Sequence, residues 1–162
     1  MPHSSSTHLG PQVFALIAWL ALCFAASSTA VFVSVDGWYA GLLKPSWNPP
    51  AWLFGPVWTL LYAMMAVAAW LVWREGGWRE QARALRLFLL QWLLNALWTP
   101  LFFGLHRPGL AFAEIILLWL ALVATLVSFW RVRKQAGVLL MPYLAWVSFA
   151  AALNFTIWRL NP

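Results

Sequence analysis

Five stretches of this chain are long and apolar enough to cross a bilayer, and nothing else in the sequence limits its fold so severely. A membrane-spanning helix needs about 20 mainly apolar residues. Such runs occupy roughly 12–34, 51–73, 84–103, 109–130 and 137–158. Inside hydrocarbon each backbone N–H and C=O must be satisfied within its own element, so these runs are helices. The links at 74–83, 104–108 and 131–136 are short, which forces successive helices to run antiparallel. The expected fold is therefore an all-α membrane protein, a five-transmembrane-helix bundle formed by residues 12–162. An N-terminal tail, 1–11, carries Ser4, Ser5 and Ser6 and is expected to be disordered. With 64% apolar and only 9% charged residues, the chain has too little polar surface for a water-soluble globule of 162 residues. The first apolar run has no basic segment before it and exceeds the length of a signal-peptide core, so it is expected to stay as a membrane helix. A lone cysteine, Cys23, allows no internal disulfide.

The net charge of +6 does not mark a nucleic-acid surface, because the basic residues are scattered over short connectors. Their distribution sets orientation instead. Arg74, Arg79, Arg83, Arg86, Arg131, Arg133 and Lys134 fall on one side, and Lys44, Arg107 and Arg159 on the other. Seven against three places the N-terminus in the cytoplasm and the 35–50 loop outside, with a bacterial cell membrane as the expected location. A reporter that is active only outside the cell, fused after Pro162, should therefore be active. Silence of that fusion beside a working N-terminal one would reverse the orientation.

Polar side chains within the spans are few, and lipid penalises them, so they should face inward. Gln91, Asn95 and Thr99 share one face of the third span, flanked by Trp98 and Phe102. Gly55, Trp58, Tyr62 and Met65 form a stripe on the second, and Tyr143, Trp146, Ala150 and Asn154 another on the fifth. Amides, phenols and indoles around apolar rings describe a small-molecule site with a few orienting donors. Trp19, Trp38, Trp73, Trp78, Trp130 and Trp158 lie near span ends and read as headgroup-level anchors. Glu114, the one acid within a span, is expected to favour the helix N-terminus or to snorkel. His3, His8 and His106 have no metal-ligand spacing, and no nucleophile–base set, carboxylate pair or glycine-rich phosphate loop is present. Conventional catalysis and a metal site are not expected, and no cofactor is required.

The stretch "KPSWNPPAWLFGPVW" at 44–58 puts stiff prolines and indole rings at the mouth of the second span. Together with "WYAGLLKPSWNPPAWLFGPVWTLLY" (38–62), "QWLLNALWTPLFFG" (91–104) and "MPYLAWVSFAAALNFTIWRLN" (141–161), it resembles the TspO/translocator protein family of tryptophan-rich sensory proteins and peripheral-type benzodiazepine receptors. The resemblance covers nearly the whole chain after the tail. It implies a homodimeric five-helix membrane protein that binds protoporphyrin IX or haem and acts as a sensor or regulator. The family resemblance also carries two alternatives: light- and oxygen-dependent porphyrin degradation, and transport of porphyrin or lipid. Carried over by motif, the ligand-facing positions are Tyr39, Trp47, Pro49, Trp58, Tyr62, Asn95, Trp98, Trp146 and Ala150, with Trp47 able to cover a flat ring. Trp58 and Trp146 match the indoles associated with porphyrin degradation. Leu153, Phe155 and Arg159 match a sterol-recognition segment, with Phe155 where that pattern has tyrosine.

Overall fold

A computed structural model describes residues 9–32 and 37–162; residues 1–8 of the expected tail lie outside the described residues. The chain forms α1 (Leu9–Ala25), a 3₁₀ segment (Ala26–Phe32), the short α2 (Trp38–Gly41), α3 (Ala51–Trp73) and α4 (Gly77–Thr99). A π-helical segment (Pro100–Gly104), α5 (Pro108–Val132) and α6 (Lys134–Leu160) follow. Five helical stretches are long and apolar enough to cross a membrane, and no strand occurs among the described residues. The protein is an all-α, multi-pass integral membrane protein. Neighbouring helices close a ring in the order α1, α3, α6, α5, α4, completed where the 3₁₀ segment packs on α4.

Several boundaries differ from the hydropathy reading, each for a local reason. α1 begins at Leu9, with Pro11 in its first turn, where a missing N–H is harmless. α4 begins at Gly77 rather than near 84, because 77–86 is amphipathic: Arg79, Arg83 and Arg86 point outward while Ala84 and Leu85 are buried. A hydropathy window averages such a stretch away. Its first turn is set off from the span by Gln81, whose backbone leaves helical geometry (φ −108°, ψ 20°). α6 likewise recruits Lys134 and Gln135 ahead of Gly137. The end of the first span tightens into 3₁₀ geometry at the run Ser27-Ser28-Thr29. Each of these hydroxyls donates to the carbonyl three residues back, at 2.6, 2.6 and 3.0 Å. At the end of the third span Pro100 supplies no N–H, and the turn widens until Leu105 N donates to Pro100 O at 2.9 Å.

Lipid is as apolar as leucine, so close packing and buried polar contacts hold such a bundle together. Ala66, Ala68 and Ala69 of α3 are fully buried and let neighbouring backbones approach. Phe88 stacks on Phe129 with centroids 5.7 Å apart and receives Trp19 edge-on at 5.6 Å. Trp19 is therefore a core residue rather than a headgroup anchor; α1 continues well past it into the 3₁₀ segment, which places it deep in the bundle. Trp38 also has an inner role, stacked on His106 at 4.5 Å and edge-on to Phe102. Trp78, Trp130 and Trp158 remain on the outer surface.

Glu114 does not snorkel. It is 8% exposed, and neither carboxylate oxygen has a hydrogen-bond partner among the described residues. On α5, Phe112 and Trp119 contact α6 through Phe155, Trp158 and Ser148. At 100° per residue Glu114 falls on the opposite flank, towards α4, from which its short stem cannot reach the surface. An unpaired buried polar group costs about 1–3 kcal/mol. Glu114→Met should therefore raise the thermal unfolding midpoint in detergent, and a lower midpoint would mean that the carboxyl is satisfied within the bundle.

Candidate functional site

A cavity of about 640 Å³ opens in the half of the bundle that carries the 42–50 loop. Its walls come from the 3₁₀ segment, α2, the loop, the first half of α3, the end of α4 with its π turn, and the middle of α5 and α6. Most of this is explained by the inward stripes. Tyr62 donates to Asn95 Oδ1 at 3.0 Å and joins α3 to α4 at the wall. Trp98 Nε1 donates to Asn154 Oδ1 at 3.0 Å, and Asn154 Nδ2 donates to Pro108 O at 2.8 Å, so one buried amide ties α4, α5 and α6 together. Tyr143 and Gln91 lie outside the lining, fully buried, where the Tyr143 hydroxyl donates to Gln91 Oε1 at 2.9 Å. Polar groups in an apolar bundle find each other because the alternative is an unmet hydrogen bond in hydrocarbon.

A stiff loop borders the cavity at this end. Asn48 N donates to Pro45 O at 3.0 Å, making a turn just before Pro49 and Pro50, and α3 starts directly after this pair. The Tyr39 hydroxyl donates to Asn48 Oδ1 at 3.2 Å, and Lys44 Nζ sits 4.6 Å from the centre of the Tyr39 ring. Burial pushes the Tyr39 phenol above its ordinary range, with the Asn48 hydrogen bond acting against that shift. The phenol thus stays a neutral donor at the rim. Asn161 accepts from Leu43 N and donates to Leu43 O, both at 2.9 Å, clipping the loop to the end of α6.

Of the positions singled out in the sequence, Tyr39, Pro49, Trp58, Tyr62, Asn95, Trp98, Trp146 and Ala150 all line this cavity. Trp47 is not in its wall. It packs edge-on against Phe149 at 5.7 Å and is 46% exposed, and the loop contributes Asn48 and Pro49 instead. Leu153 lines the cavity, whereas Phe155 and Arg159 face outward, so these three do not converge on one surface. Sequence reasoning missed Phe24 and Thr29 of the first span and Ile115 and Leu118 of the fourth, which also form the wall. The hydroxyl of Thr29 was a signal of the same kind as the inward amides, whereas the apolar Phe24, Ile115 and Leu118 look the same whether they face lipid or a cavity.

Four indole N–H groups are spent on hydrogen bonds between elements of the bundle. Trp70 donates to Gln12 O, Trp92 to Leu22 O, Trp98 to Asn154 and Trp119 to Ser148. Trp58 and Trp146, on the cavity wall, donate to no group among the described residues, and neither N–H is fully buried. Trp58 lies on Tyr62, with centroids 5.4 Å apart and planes 28° apart, and Trp146 is fixed between Phe54 and Phe149 at 5.8 and 5.5 Å. Both rings are held in place by neighbours while their donors stay available. No cluster of metal-binding side chains occurs among the described residues.

Fold and site together define a class: a five-span helical membrane protein with an aromatic-walled cavity at one end of the bundle. The chain belongs to the TspO/MBR family, whose profile matches residues 13–159. It is 44% identical to the tryptophan-rich protein TspO of Chlorobaculum tepidum over 158 residues, covering 95% of this chain and all of that relative. It is 46% identical to the translocator protein of Homo sapiens over 143 residues, covering 86% and 83% of the two chains. Protein CrtK of Rhodobacter capsulatus is 44% identical over 141 residues, covering 86% of this chain and 88% of CrtK.

Proposed function

We propose that this protein is a membrane receptor for a tetrapyrrole, taking up protoporphyrin IX in the cavity as a sensor or regulator. The observation that carries this reading is the pair of fixed indoles, Trp58 and Trp146, on facing helices with their N–H groups unspent. A flat macrocycle offers π-faces for both rings and acceptors for their donors. The cavity volume of about 640 Å³ falls within the range of pockets for drug-sized ligands. Lys44 at the rim supplies a positive charge for a propionate. The described lining contains no His, Cys or Met, and its two tyrosines, Tyr39 and Tyr62, spend their hydroxyls on Asn48 and Asn95, so the metal-free porphyrin suits it better than haem.

Porphyrin degradation is the second reading, favoured by the contact of Trp58 with Tyr62 and, edge-on at 6.2 Å, with Tyr143. These are oxidisable rings beside the bound macrocycle; light would excite the porphyrin and dioxygen would be the oxidant. One experiment separates the readings. Purified protein is titrated with protoporphyrin IX in the dark while tryptophan fluorescence is followed, and the porphyrin spectrum is then recorded under illumination in air. Saturable quenching with a stable spectrum supports a receptor. Bleaching that depends on Trp58 and Trp146 supports degradation, and absence of saturable quenching removes both.

A further inference from the structure

A second groove, of about 340 Å³, lies at the opposite end of the molecule from the ligand cavity, beside the turn that joins α5 to α6. It is lined by Leu126, Val127, Trp130, Arg131 and Met141. Val127, Trp130 and Met141 are 42%, 38% and 50% exposed, so the groove is open to the surroundings of the bundle. Its wall is built in. Gly137 brings α6 so close that a Cβ there would stand 2.7 Å from Trp130 Cε3 and 3.0 Å from Trp130 Cα, which fixes the indole along the groove.

Of the three cations at the turn beside it, two are not used elsewhere. Arg133 is committed, with Nη1 2.9 Å from Glu75 Oε1 and Nε donating to Gln135 Oε1 at 2.9 Å. Arg131 and Lys134, both exposed, form no ion pair among the described residues. α5 ends at Val132, so this end of the groove sits where the apolar core gives way to the headgroup region. An apolar trough meets an indole and two unpaired cations at that level. We propose that it holds one anionic phospholipid, with an acyl chain along Leu126, Val127 and Met141 and the headgroup phosphate on Arg131 and Lys134. A zwitterionic lipid would fill the trough equally well but would bring its own ammonium towards two cations. Headgroup charge is therefore what the site selects.

The test uses the full chain in mild detergent, exposed to equal amounts of phosphatidylglycerol and phosphatidylcholine with identical acyl chains. Retained lipid is counted by native mass spectrometry. The parent should keep phosphatidylglycerol preferentially, at one molecule per chain. Neutralising both cations, Arg131→Gln with Lys134→Gln, should cut that preference by roughly fivefold per cation. Met141→Trp, which fills the trough and leaves the charges in place, should reduce retention of both lipids. Arg74→Gln is the control, since Arg74 lies over Trp70 at 4.7 Å, away from the groove. Equal retention of the two lipids by the parent overturns the proposal. So does a loss in the double variant no larger than in Arg74→Gln, because diffuse attraction to the basic side of the bundle would then account for it.

Discussion

Replacing either Trp58 or Trp146 with phenylalanine is expected to weaken protoporphyrin IX binding by roughly five- to a hundredfold while leaving the bundle folded. Each exchange removes one N–H donor, worth about 0.5–1.5 kcal/mol, and alters an aromatic contact worth a further ~0.5–1.5 kcal/mol. The ring body stays, so Trp58→Phe can still pack on Tyr62 and Trp146→Phe on Phe54 and Phe149. Trp73→Phe, at the far end of α3, is the control and should leave affinity nearly unchanged. Fluorescence quenching titrations decide the matter. Parent-like affinity in both cavity variants, or an equal loss in Trp73→Phe, would show that the indole pair does not grip the ligand.

The second large effect concerns stability. Asn154 is 1% exposed and holds two partners at once, the Trp98 indole and the Pro108 carbonyl. Asn154→Leu keeps the branching and heavy-atom count of the side chain but orphans both, at about 1–3 kcal/mol each, for a total of about 2–6 kcal/mol. The thermal midpoint in detergent should fall sharply. Ser148→Ala, which breaks the exposed Trp119–Ser148 bond, should cost no more than a fraction of that. If the two variants unfolded together, the Asn154 knot would be one contact among many.

These expectations also show which features could be read from sequence. Gln91, Asn95 and Asn154 were legible as inward-facing because hydrocarbon tolerates an amide only against a partner, and all three are buried with one. The five spans were legible for the same reason applied to the backbone. Trp19 was not, since an indole near the start of an apolar run suits a headgroup or a core equally well, and only the continuation of α1 into the 3₁₀ segment decides. Glu114 was misread because sequence gives the depth of a residue along a helix but not which neighbour covers it. Ile115 and Leu118 carry no mark of a cavity at all. Trp47 sits in the loop that borders the cavity yet turns its ring to Phe149, a choice made by a partner on another helix more than a hundred positions along the chain.

The clip between Asn161 and Leu43 has a mechanical consequence. Its side chain grips both the N–H and the C=O of one loop residue, and its Nδ2 also donates to Ile157 O at 2.8 Å within the last turn of α6. Loop and helix end thus move as one lever, with the double proline as its stiff arm and the start of α3 as its fulcrum. Widening the cavity mouth means either unlatching two hydrogen bonds or tugging on the tail of a helix whose Trp146 and Ala150 form the cavity wall. A load attached just beyond Pro162 pulls on the same latch, and through it on the loop whose Asn48 and Pro49 form part of the cavity wall.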